Sequence, residues 1–332
     1  MPKHVLVTGG AGYIGSQCCK TLSKMGFVPI CLDNLSIGYE QLVKWGPFIK
    51  GNINDNKLIK DLIAKYQPVA VMHFAADALV SESVRDPAKY YHNNVICSYE
   101  LLNTLRQNGV KKIVFSSTCA TYGNPIKIPI AEQHPQKPIN PYGNTKLIIE
   151  MMLKDFKTAY GMQFVILRYF NASGADRDGQ IGEAHKQETH LIPLLMRTAL
   201  KKQPHLNIYG TDFDTKDGSA IRDYIHVEDL CDAHVKALEF LLTTSDSIEV
   251  NLGTGQGLSV KEIVSAFERL FNMKLPTKLM PRRDGDPPVL IANAKKAYDI
   301  LKWIPSNSSI ENILKTAWQW HNNNLYSQLI DG

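Results

Sequence analysis

Tyr142 and Lys146 stand one helical turn apart in Pro141-Tyr-Gly-Asn-Thr-Lys146. At i and i+4 they share one face of a helix. A phenol serves as a base near neutral pH only if its pKa falls by about three units, or about 4 kcal/mol. A Lys ammonium one turn away and a cationic nicotinamide both favour the phenolate. Ser116-Ser117-Thr118 ends an apolar run. From there Thr118 would donate to a substrate oxygen and share its proton with the tyrosine. Tyr and Lys at this spacing also occur as plain surface pairs, so their meaning depends on what surrounds them.

What surrounds them is a dinucleotide signature. His4 to Val7 is apolar and strand-like, and Gly9, Gly12 and Gly15 follow before a helix predicted over 13–25. Gly9 permits the tight turn. Gly12 clears the approach of a phosphate to the backbone, and Gly15 lets the helix pack on the strand. The helix N-terminus then offers N–H groups and partial positive charge to a pyrophosphate. Asp33 closes the next strand (27–32), eighteen residues after Gly15. A carboxylate there accepts from both ribose hydroxyls and repels a 2′-phosphate, which favours NAD over NADP.

The remaining elements follow as positioning devices. A short strand at 48–50 leads to Asn52 and Ile53 near the adenine edge, and Asp55 caps a helix to residue 66. A strand at 69–74 ends on Phe74, with small Ala75 and Ala76 able to lie against a cofactor. The span 87–108 reads as one long helix containing Asn93-Asn94, a poor mid-helix pair. Strands at 112–116 and 164–168 continue the alternation. Strand and helix in turn predict an α/β fold: a doubly wound parallel-sheet Rossmann domain with a smaller mixed α/β C-terminal substrate lobe. The boundaries read as 1–171 for the first, with 225–255 packing back onto it, and 172–332 for the second.

The chain has 332 residues, 44% hydrophobic and 21% charged, with a net charge of +5. No basic run points to nucleic acid. No apolar stretch reaches the ~18 residues of a membrane span. The first strand begins at once, leaving no room for a leader, and a cytoplasmic location is expected. The six cysteines are scattered without C-x-x-C, as small buried residues in a reducing compartment. His185 and His190 lack obvious metal-ligand companions, so no metal is expected.

Seven blocks carry a resemblance. They are Thr8-Gly-Gly-Ala-Gly-Tyr-Ile-Gly15, Leu32-Asp-Asn-Leu-Ser36, Ser116-Ser-Thr118, Tyr142-x-x-x-Lys146, Arg168-Tyr-Phe-Asn171, Arg222-Asp-Tyr-Ile-His-Val227 and Pro281-Arg-Arg-Asp-Gly-Asp286. Together they resemble the UDP-glucose 4-epimerases, a branch of the extended short-chain dehydrogenase/reductases. The resemblance implies NAD as cofactor and inversion at C4 of a UDP-hexose through a 4-keto sugar. Tyr142 would be the base, with Lys146 and Thr118 beside it. It also implies cofactor contacts from Tyr13, Ile14, Asn34, Leu35, Ser36, Gly38, Asn93, Tyr169 and Phe170. Asn171, His190, Leu191, Asn207, Tyr209, Arg222, Arg283 and Asp286 would hold the UDP-sugar, and Leu290 would wall the sugar pocket where some members have Tyr. A homodimer is implied as well.

Asn52 stands where many members have Asp, and Ala78 where some have Lys. Cys119-Ala120 replace the Asp-Glu pair of the related 4,6-dehydratases, which argues against dehydration. UDP-N-acetylhexosamine or UDP-pentose substrates remain open, as does a catalytically silent NAD-bound regulatory protein.

Overall fold

The structure, a computed structural model, describes residues 3–283 and 286–331. Asp284 and Gly285 of the last block lie outside these residues. β1 (Lys3–Thr8) leads through the glycine turn into α1 (Tyr13–Lys24) and β2 (Phe27–Asp33). β3 (Phe48–Lys50) follows. Asp55 then caps α2 (Asn56–Tyr66) by accepting the Leu58 N–H at 3.0 Å. β4 (Ala70–His73), α3 (Val80–Arg85), α4 (Pro87–Tyr90) and α5 (Cys97–Gln107) come next. β5 (Lys112–Thr118), α6 (Pro141–Tyr160) and β6 (Gln163–Tyr169) complete the first run.

These strands pair in parallel in the order β6-β5-β4-β1-β2-β3. Side chains of a strand alternate between its two faces, and both faces here are apolar. Val5, Val7 and Val114 belong to one core, with Cys18 and Leu22 of α1. Leu6, Ile113 and Phe115 belong to the other, with Ile59 of α2, Leu101 of α5 and Ile149 of α6. The chain direction reverses between β1 and β4, which opens a crevice at their carboxyl ends.

The helix expected over 87–108 is interrupted. Tyr91–Ile96 forms a wider π-helical turn between α4 and α5. That turn sends Asn94 inward, fully buried. Its Oδ1 accepts the Asp77 N–H at 2.9 Å, and its Nδ2 donates to Asp77 O at 2.9 Å and to Thr145 Oγ1 at 3.1 Å. A residue that looks misplaced in a helix thus fixes the loop after β4 to α6, one residue from Lys146.

The second half is mixed. β7 (Asn171–Ser173), α7 (Leu191–Ala199) and β8 (Leu206–Tyr209) precede β9 (Ile221–His226), α8 (Val227–Thr243) and β10 (Ile248–Leu252). α8 packs on α1, and β10 pairs in parallel with β6 as the seventh strand of the main sheet. β11 (Gly257–Ser259), α9 (Val260–Phe271), β12 (Thr277–Met280), β13 (Val289–Leu290), α10 (Lys295–Leu301) and α11 (Ile310–His321) follow. A small sheet sets β7, β11 and β13 around β9, while β8 pairs with β12. α9 starts with a reciprocal capping box between Ser259 and Glu262. α7, α9 and α11 close a third core, where Trp318 packs against Phe267 and Phe271.

Candidate active site

The glycine turn is set by close approach. Gly9 has φ +73°, and a Cβ on it would stand 2.6 Å from Ala75 N. A Cβ on Gly15 would stand 2.1 Å from Gly9 O, so α1 can approach the turn only with glycine there. Gly12 differs, because a Cβ on it would meet nothing nearer than Gly9 O at 3.4 Å. Protein packing does not demand glycine at that position; its bare backbone faces an open cradle. Gly38 is also forced, since a Cβ would lie 2.8 Å from the Ala11 carbonyl carbon.

Asp33 lies at the end of the cradle. Its Oδ2 accepts Ala11 N–H at 3.0 Å and its Oδ1 accepts Leu35 N–H at 2.8 Å. Burial raises its pKa against those two hydrogen bonds. Each oxygen keeps a lone pair for a ribose hydroxyl. Leu35 turns the chain at φ +61°, and Asn34 Oδ1 accepts the Ser36 N–H at 2.9 Å. The Asn52 carbonyl expected to face adenine already accepts from Asn34 Nδ2 at 2.8 Å, which leaves it one lone pair. Ile53 is buried, and Phe74 packs on His234 with ring centroids 4.8 Å apart. Tyr13 Oη donates to Gly174 O at 2.7 Å. Asn93 is half-buried and donates to Asn94 Oδ1 at 3.3 Å, a neighbour of the crevice.

Thr118, Tyr142 and Lys146 converge at the carboxyl end of β5, all three buried. Thr118 Oγ1 accepts the Ala120 N–H at 3.1 Å, and its hydroxyl lies within hydrogen-bond reach of the Tyr142 phenol. Asn140 caps α6 at Gly143 N, 2.8 Å. A Cβ on Gly143 would stand 2.6 Å from Ala120 O, so this glycine lets Tyr142 come close to Thr118. Tyr169 Oη and Ser116 Oγ are 2.6 Å apart.

The protonation of this set departs from expectation. Burial pushes the Tyr142 phenol well up, and Tyr169 and Cys119 add to that; its hydrogen bond with Thr118 works the other way. Burial also lowers Lys146 to about 7, against the pull of Glu150, while its Nζ donates to Ser116 O at 2.9 Å. Of the two cations expected to bring the phenol toward neutrality, Lys146 and a bound nicotinamide, the greater share therefore falls to the second. Desolvation disfavours both charged forms, and a phenolate needs a further cation bound against it.

One consequence concerns stability. An unfolded chain keeps Lys146 protonated up to its ordinary 10.5, whereas the folded chain releases that proton near 7. Between these values the unfolded state binds more protons, so stability rises with pH, and below about 7 the burial penalty is present in full. Lys146→Met is expected to raise the thermal midpoint of the ligand-free protein at pH 6. The gain should shrink toward pH 10. A midpoint at pH 6 below that of wild type would show that the buried ammonium is not a liability.

The predicted substrate residues line the adjoining strands. Arg222 pairs with Asp286 and donates to Ile221 O at 2.8 Å. The Arg283 guanidinium stacks 4.1 Å above the Tyr209 ring centroid. Leu206 N and Gly210 N bond toward β12, so the backbone groups of Asn207 and Tyr209 face the other edge of β8. Asn207 Oδ1 is buried without a hydrogen-bond partner. Asn171 Nδ2 donates to Asp223 O at 3.1 Å. His190 caps α7 and Leu191 begins it. Leu290 sits opposite Arg222 in the β13–β9 ladder and packs with Cys119 and Phe170, next to Thr118.

Two groups escaped the sequence reading. Asp223 is fully buried, and its carboxylate accepts from Thr254 N, Gly255 N and Ala292 N, binding two loops to β9. Glu150 and Arg168 form a buried pair, with Arg168 Nη2 to Glu150 Oε2 at 2.7 Å and Nε to Oε1 at 3.0 Å. An arginine inside the apolar strand 163–169 was the available signal for such a partner.

The profile of the NAD dependent epimerase/dehydratase family matches residues 5–253. A UDP-glucose 4-epimerase of Rhizobium leguminosarum bv. trifolii is 48% identical over 96% of this chain and 97% of its own. The crystal structure of UDP-glucose 4-epimerase from Brucella ovis in complex with NAD is 50% identical, with a TM-score of 0.93 over 95% of this chain and 97% of that one. The UDP-Glc/GlcNAc 4-epimerase of Campylobacter jejuni is 39% identical, with a TM-score of 0.84 over 96% and 99%.

Proposed function

The chain belongs to the NAD dependent epimerase/dehydratase family, and on that premise we propose that it interconverts UDP-glucose and UDP-galactose by inverting C4. The observation that carries this reading is one juxtaposition. Thr118, Tyr142 and Lys146 meet at the end of β5, in the same sheet as the β1 strand that leads into the Gly12 turn, and Leu290, opposite Arg222, packs on the cluster that also takes in Cys119. The cradle and Asp33 fit NAD, whose chemistry there when bound is reversible hydride transfer at C4.

The chain's own groups do the rest. Tyr142 takes the 4-hydroxyl proton and returns it, and Thr118 donates to the same oxygen. Lys146 holds the nicotinamide ribose and the Tyr142 environment. Arg222 and Arg283 offer guanidinium forks to the diphosphate. The free edge of β8 and the unpartnered Asn207 Oδ1 suit a uracil. A firmly held UDP leaves the 4-keto sugar room to present its other face. Residues 1–171, joined by 225–255, hold the cofactor, and 172–332 hold the UDP-sugar.

A coupled assay of purified protein with UDP-galactose tests this. UDP-glucose should form without added oxidant, with NAD copurifying. Bound NAD without turnover of any UDP-sugar would instead mean a silent regulatory protein. Asp33→Ala should raise the affinity ratio of NADP to NAD at least tenfold, and NADP as the copurifying species would overturn the reading of Asp33. A cytoplasmic homodimer belongs to the same proposal. The exposed apolar side chains of Tyr91, Ile96, Tyr99 and Met151 support the dimer. No helix among the described residues is long and apolar enough to cross a membrane.

Leu290 bears on the choice of sugar. Leucine is smaller than tyrosine and lacks a hydroxyl, so the wall it forms leaves space for a 2-acetamido group. One pocket wall discriminates by ~1–3 kcal/mol. UDP-galactose is expected as main substrate and UDP-N-acetylgalactosamine as a slower one. Leu290→Tyr should cut kcat/KM for the acetamido sugar about tenfold or more relative to UDP-galactose. Equal rejection of that sugar by wild type and variant removes Leu290 as the gate.

A further inference from the structure

The loop between β7 and α7 gathers four side chains, of which His190 alone is among the expected UDP-sugar contacts. Glu183, His185, Glu188 and His190 each bring one nitrogen or oxygen atom to a common point, all within 4.8 Å of one another. The two histidines do have companions, contrary to expectation. The loop has no helical or strand period, so nothing in the sequence marked the acids as sharing a site with the imidazoles.

Two of the separations are those of hydrogen bonds, and two match ligand edges around an ion. His190 Nδ1 lies 2.8 Å from Glu183 Oε1 and 2.9 Å from Glu188 Oε1. His185 Nδ1 lies 3.4 Å from both Glu183 Oε1 and Glu188 Oε2. Zinc bonds of about 2.0–2.2 Å imply tetrahedral edges of about 3.3–3.5 Å. A single ring N–H cannot serve two carboxylates at once, whereas a central cation serves all four groups. His185 Nδ1 is shut from solvent and makes no hydrogen bond.

The surroundings fit a prepared ligand set. Glu188 Oε1 is fixed by the Thr189 N–H at 2.7 Å and the His190 N–H at 2.8 Å, which leaves Oε2 for the ion. Two carboxylates, two neutral imidazoles and a divalent cation sum to zero charge, as a buried group requires. Glu183 comes from the middle of the loop and His190 from its end, and Glu183 O accepts from Trp320 Nε1 at 2.9 Å.

We propose that Glu183, His185, Glu188 and His190 form a site for a divalent transition ion of the zinc class, clamping the loop after β7 onto the first turn of α7. The nitrogen and oxygen donor set suits zinc among common ions. The clamp faces the cofactor turn: burial raises the Tyr13 phenol, and Glu183 and Glu188 raise it further. The competing occupant is a proton. Burial opposes protonation of His185, but the two carboxylates beside it prevail and hold it at about 9. The site is independent of which sugar is turned over.

The full chain, dialysed against a chelator, should be titrated with Zn²⁺ in competition with a chromogenic chelator. Wild type is expected to bind one Zn²⁺ per chain. His185→Ala and Glu188→Gln should each weaken binding at least tenfold while far-ultraviolet circular dichroism stays unchanged. A Co²⁺ titration of wild type needs no variant, and the strong visible absorption of four-coordinate Co²⁺ is expected. Wild-type affinity no better than that of His185→Ala overturns the site. So does a Co²⁺ spectrum no stronger than that of the hexaaqua ion, in which case the cluster is a histidinium–carboxylate clasp.

Discussion

Tyr142→Phe is expected to lower kcat by at least a hundredfold and to leave NAD content unchanged. The variant keeps the buried ring and removes the proton acceptor, and a positioned general base contributes typically about 10²–10⁴ in rate. Thr118→Val should fall short of that loss, because it removes a donor and not the base. The sign of the pH dependence follows from burial. The Tyr142 phenol is pushed up, so kcat/KM of wild type should rise with pH from the acid side as phenolate forms. Tyr142→Phe should lose that slope. Retention of more than a tenth of the wild-type rate, or an unchanged slope, would move the base elsewhere.

Arg168→Met is expected to cost about 3–5 kcal/mol of unfolding free energy, because it leaves a buried carboxylate without its cation. Glu150 and Arg168 are 0% and 1% exposed, so water cannot replace the lost partner. Ser117 Oγ at 2.6 Å and Gln136 Nε2 at 2.9 Å would remain as neutral donors to Glu150. Arg168 Nη1 also reaches Tyr122 Oη at 2.9 Å, and Tyr122 in turn donates to Asn251 Oδ1 at 2.7 Å. The loss should therefore spread from β6 to β10. Pairing Arg168→Met with Glu150→Leu should recover much of it, since an apolar pair of similar volume is often as stable as a buried ion pair. Urea unfolding of the single and double variants measures both. A single-variant loss under 1 kcal/mol would show that the pair is not the lock it looks to be.

Local rules carried most of the fold. The β1 to β6 alternation and the Asp55 cap are each set by neighbours in sequence, and each stands where expected. The Tyr142–Lys146 pair was legible for the same reason, as a four-residue spacing on one helix. Asn94 was not, because a π-turn shifts the face that a helical period assigns. Asp223 and the Glu150–Arg168 pair depend on partners far along the chain, and charge alone does not say which acid meets which base. The desolvation of Tyr142 and Lys146 was not legible, because spacing reports proximity and says nothing of burial.

β10 completes the main sheet from residues 248–252, long after β6 ends at Tyr169. A nascent chain released only to residue 171 thus presents β6 as a bare outer strand, an open template for pairing with other chains. Closure waits for about eighty more residues, several seconds at typical synthesis rates. A genetic split near 171 should give an insoluble N-terminal piece, rescued by supplying the remainder in trans. The parts of the chain on either side of residue 171 are thereby bound to mature together, and neither can be inherited or exchanged as a contiguous cassette.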